Sequence, residues 1–112
     1  MQDTILEKVK KIQGISHTEF DDTISGWIAA AKLDLISVGI VNTLVNTNNP
    51  DSLIETAIIT YVLSFLDVVN SDLYANSYML QKDTLRHIQS YTNASLTPPS
   101  LTPTNLEAWY GI

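Results

Sequence analysis

The sequence predicts an all-α fold: a small bundle of about four helices around a central hydrophobic helix, with an extended Pro-rich C-terminal tail. Three observations predict it. The stretch Asp51–Asn70, DSLIETAIITYVLSFLDVVN, has no charge between Glu55 and Asp67 and points apolar side chains in nearly every direction. A helix of that kind is enclosed by other protein or by lipid, and its uncharged part is shorter than the roughly 18–20 apolar residues a bilayer span needs. Asp21–Val38 is amphipathic, with Ile24, Trp27, Ile28, Ala31, Leu35 and Val38 at the 3-4 spacing of one buried helix face. Ser95–Thr104, SLTPPSLTPT, contains three prolines and cannot continue a helix. The chain therefore divides into a helical domain, 1–94, and a tail, 95–112.

Taken in order, Asp3 is a plausible N-cap for a first helix over about Thr4–Gln13, with Ile5, Val9 and Ile12 on one stripe and Glu7 facing Lys11 at i,i+4. Gly14 ends it, and Ile15–Phe20 is a connector. The second helix opens on Asp21 and Asp22, which complement the positive end of the helix dipole, and stops at Gly39. Ile40–Pro50, IVNTLVNTNNP, reads as an extended loop with strong turn chemistry, and its apolar Ile40, Val41, Leu44 and Val45 call for partial burial or a partner surface. Ser52-Leu53-Ile54-Glu55 fits a capping box at the start of the central helix. A turn over Asn70–Asn76 then leads into a last helix, about Ala75–Thr92, with Tyr78, Leu85, Ile88 and Tyr91 toward the core.

The composition bounds the function. At 112 residues the chain builds one core. It has no cysteine, which removes disulfides, thiolate metal sites and thiol catalysis and points to an intracellular origin. MQDTILEKVKK has no apolar h-region, so no secretory signal is expected. Twelve acids against six bases leave a net charge of −6, which opposes nonspecific nucleic-acid binding. The one basic cluster, Lys8, Lys10 and Lys11, reads as a solvated helix face.

No catalytic, cofactor or metal site is expected. His17 and His87 lie in different segments without a ligand partner at i+4, and Asp21-Asp22 do not share a helix face. Phosphate loops, a G-x-S-x-G elbow and an H-E-x-x-H pair are absent. The tail ends in Asn105-Leu106-Glu107-Ala108-Trp109-Tyr110-Gly111-Ile112. Aromatic residues after a linker look like anchors for a partner, since such residues dominate interface hot spots. The same residues would also let the tail fold back and hide Trp109 in a groove of its own domain.

The order of elements carries a resemblance. DDTISGWIAAAKLDLISVGI, then NNPDSLIETAIITYVLSFLDV, then SDLYANSYMLQKDTLRHIQSY, spanning roughly Phe20–Tyr91, resembles the head–tail connector (adaptor) proteins of tailed bacteriophages. These attach beneath the portal ring. The resemblance implies a helical, non-enzymatic structural protein of the virion neck, a homo-oligomer in a twelvefold ring, with DNA passing through its channel unread. Its expected partners are the portal protein and a stopper or tail-completion protein, with no membrane and no cofactor. The candidate portal-binding residues are Leu106, Trp109, Tyr110 and Ile112; the candidate loop contacts to a neighbouring subunit or tail protein are Ile40, Val41, Leu44 and Val45. The alternative is another small helical module, such as a small terminase subunit or a regulatory protein; a small enzyme ranks last.

Overall fold

A computed structural model describes residues 4–47 and 50–92. Six helices follow one another: α1 (Ile5–Gln13), α2 (Asp21–Ser37), α3 (Asn42–Val45), α4 (Ser52–Leu66), α5 (Ser71–Arg86) and α6 (Gln89–Thr92). Among the described residues there is no strand, so the fold is all-α, and α3 and α6 are single turns.

The central helix is the post the sequence implies. α4 packs against α5, α2 and α1. Its first half, Ile54, Ala57 and Ile58, joins Ala31 and Leu35 of α2, Tyr78 and Leu85 of α5, and Ile40 and Val45 in one buried cluster. Its second half, Val62 and Leu63, meets Val9 of α1 and Ile24 of α2 in another. Burial of each large aliphatic side chain contributes about 1.5–3 kcal/mol. Thr60, the buried polar residue among those described, donates its hydroxyl to the Thr56 carbonyl at 2.8 Å.

Gly14 (φ 69°) and Gly39 (φ 107°) take left-handed conformations at the ends of α1 and α2, as expected of helix stops. The caps differ from expectation. Thr4, not Asp3, caps α1: its hydroxyl accepts from the Glu7 N–H at 3.1 Å while Glu7 accepts from the Thr4 N–H at 2.9 Å, a T-x-x-E box. The S-x-x-E box of α4 is not formed. Asp51 is the N-cap, Ser52 is already helical, and Glu55 reaches Lys8 of α1 at 2.8 and 3.0 Å. An interhelical ion pair claims the carboxylate that the box needed.

α4 also stops at Leu66, short of the expected Asn70. The Asp67 carboxylate accepts from the Asn70 backbone N–H at 3.1 Å, and the Ser71 hydroxyl donates to the Ser64 carbonyl at 2.7 Å. These local bonds compete with helix continuation. Val68 and Val69 are consequently 82% and 91% exposed in the turn, not enclosed. The turn thus spans 67–70, and most of the expected Asn70–Asn76 turn is the first part of α5. The expected last helix is broken at His87–Ile88, leaving α6 as a separate turn, held by a hydrogen bond from the Val41 N–H to the Tyr91 carbonyl at 2.8 Å.

Candidate interaction surfaces

The 40–50 segment is not an extended loop. After Gly39, the Ile40 N–H returns to the Leu35 carbonyl at 3.2 Å, which turns the Ile40 side chain into the core; one helical turn then carries Val45 to the same cluster. Ile40 is 2% exposed and Val45 is fully buried. Of the four expected contact residues in this segment, these two are therefore core residues and not surface ones. Val41 and Leu44 are half-buried, with Leu44 packed against the cluster's edge. The remaining candidates, Leu106, Trp109, Tyr110 and Ile112, lie outside the described residues, as does the 95–112 tail as a whole.

Other apolar side chains reach solvent where the sequence reading did not place a surface. Leu80 of α5 is 72% exposed and stands beside Leu53 of α4, forming a groove with Thr56, Gln81, Thr84 and Leu85. On α2, Leu33 is 68% exposed next to a second groove lined by Ser25, Ile28, Ala29, Lys32, Ile36 and Asn46. Leu73 adds to Val68 and Val69 at the α4–α5 turn. The i,i+7 spacing of Leu73 and Leu80 is the signal that marks this outer stripe of α5; it stays hidden while residues 70–76 are read as a turn.

Three ion pairs among the described residues join one helix to another. Lys8 pairs with Glu55 and Lys10 with Asp21, each at 2.8 Å, so the basic cluster joins α1 to α4 and α2 and is not simply a solvated face. Asp34 of α2 accepts from the Tyr78 hydroxyl at 2.5 Å and from Lys82 Nζ at 3.0 Å, both on α5. Burial pushes the Asp34 carboxyl up, but the hydrogen bonds from Tyr78 and Lys82 and the Lys82 charge outweigh it, and the net effect is a lowered pKa. Burial first, and then the hydrogen bond to Asp34, push the Tyr78 phenol well up. Tyr91 donates to Asp51 at 2.6 Å, and that bond, with a little burial, raises its pKa to about 12.

His17 and His87 are both exposed and engaged locally. His17 Nδ1 accepts from the Glu19 N–H at 3.3 Å, and His87 Nδ1 lies 2.7 Å from the Asp83 carbonyl. Among the described residues no three His, Asp or Glu side chains gather as a metal cluster, and no helix is long and apolar enough to cross a membrane.

What these helices present is a set of exposed apolar side chains around a small bundle. The family model described as phage connector protein matches residues 5–77, from the start of α1 into α5. The chain belongs to the phage connector protein family, and with it comes a connector role at the phage head–tail junction in general terms, in association with capsid or tail components. No curated protein and no solved structure matches the chain.

Proposed function

We propose that this chain is a structural, non-catalytic adaptor of a tailed-phage neck. Copies form a ring, twelvefold in the virion, beneath the portal; the ring joins the DNA-filled capsid to the tail and lets DNA pass without reading its sequence. The helical domain supplies subunit contacts, and the tail from Ser95 docks on the portal through Leu106, Trp109, Tyr110 and Ile112. Val41 and Leu44 border the surface offered to a neighbouring subunit or to a stopper or tail-completion protein. No cofactor takes part.

The observation that carries this reading is the apolar surface left uncovered on a connector-family bundle: Leu33 on α2, and Leu53, Leu73 and Leu80 on α4 and α5. A ring contact is heterologous and uses a different patch on each flank. The alternative, a nucleic-acid-binding helical module, would use a basic helix face, and Lys8 and Lys10 are already engaged by carboxylates. The test is co-assembly with the portal protein of the same phage, imaged by negative-stain electron microscopy, using the full chain and a chain ending at Ala94. A ring added by the full chain and lost on truncation supports both ring and tail docking. A ring with both chains removes the tail from the mechanism, and no ring with either overturns the ring-forming adaptor reading.

A further inference from the structure

The groove between α4 and α5 has a volume of about 200 Å³ and an almost wholly apolar lining, with Leu53 and Leu80 on its rims and Leu85 on its floor. The groove therefore suits an occupant with one apolar side chain.

We propose that this occupant is the chain's own segment Ser95–Leu101, with Leu96 seated between Leu53 and Leu80. The place where the described chain ends argues for it. Tyr91 is tied through its hydroxyl to Asp51, two residues before Leu53 at the start of α4, and through its carbonyl to Val41, which holds α6 at this end of the bundle. Leu96 is four residues further on, a reach of about 12 Å at ~3.1 Å per residue of extended chain. It is the first large apolar side chain after Tyr91, and Pro98 and Pro99 follow it, restricting the backbone to extended forms. A tether this short gives an effective concentration in the millimolar range, which a separate copy of the chain does not match in dilute solution. Seating Leu96 still leaves residues 102–112, about 34 Å of extended chain, free to carry Trp109 to a partner.

The contact is made within the free chain and does not rest on the ring or on the portal. The absence of native cysteine makes a single thiol a clean probe. Thr56→Cys in the full-length protein places it in the groove, and its maleimide-labelling rate is compared with that of the same protein also carrying Leu96→Asp. Labelling is expected to be about tenfold slower with Leu96 present, the factor that ~1.4 kcal/mol of docking sets. The rate should not change on dilution, and a Ser25→Cys control on α2 should be indifferent to Leu96→Asp. Equal rates in the two Thr56→Cys proteins overturn the proposal. Protection that fades on dilution overturns it in favour of a second copy's segment, and protection removed by Trp109→Ala but not by Leu96→Asp reassigns the groove to the end of the tail.

Discussion

Tyr78→Phe isolates one hydrogen bond that fastens α5 to α2. The phenol sits 5% exposed in the core, stacked edge-on with Tyr61, and its hydroxyl lies 2.5 Å from Asp34 Oδ2. The ring stays in place on substitution, so little packing is lost. A hydrogen bond to a charged group contributes about 1.5–3 kcal/mol; Asp34, with a third of its side chain exposed and Lys82 still bound to it, keeps other partners. The expected loss is therefore ~1–1.5 kcal/mol at pH 7. The pH dependence identifies the cause. Asp34 has a lowered folded pKa, so its contribution is present above the unfolded value of 3.8 and is lost as pH falls through the folded one. Urea unfolding at pH 7 and again below the folded pKa of Asp34 should show the difference between the wild type and Tyr78→Phe shrinking in acid. A difference that is the same at both pH values, or absent at pH 7, refutes the account.

Ile58→Ala, at a fully buried position in the middle of α4, should cost about 2–5 kcal/mol in chemical denaturation, whereas Val69→Ser in the exposed turn should stay within about 0.5 kcal/mol. At alkaline pH the Tyr91–Asp51 contact should fail. With a folded pKa of about 12 against 10.0 unfolded, its stabilisation is full below pH 10 and lost as pH rises toward 12, and Tyr91→Phe should flatten that part of the stability profile.

The all-α class, the central helix and both glycine stops could be read from the sequence because each rests on a strong local signal: an uncharged apolar run, a 3-4 spacing, a residue free to take positive φ. What failed depended on partners distant in sequence. Glu55 looked like half of a capping box until Lys8, 47 positions away, competed for it. Val68 and Val69 looked like helix until Asp67 and Ser71 closed the turn around them. Ile40 and Val45 looked like a partner surface because periodicity cannot say whether a short apolar connector faces a partner or its own core; the return of the Ile40 N–H to the Leu35 carbonyl turned the first inward, and the one turn of α3 carried the second to the same cluster. The Leu53–Leu80 groove combines residues from two helices, and the Leu73–Leu80 spacing marks only its α5 side.

The charge distribution gives salt opposite effects under the two leading readings. Lys8, Lys10, Lys82 and Arg86 each already face a carboxylate within their own subunit. The net charge of −6 makes copies of the chain repel one another. In the proposed ring, association between copies would come from apolar strips such as those of Leu33 and Leu73, against an electrostatic cost that salt screens over about 8–10 Å near physiological ionic strength. Raising salt from low values should strengthen self-association, read by sedimentation velocity at fixed protein concentration. A protein that worked by gripping nucleic acid would lose affinity over the same range, because counterion release drives that binding. Self-association that weakens with salt would mean that ion pairs between subunits, not apolar burial, hold the copies together.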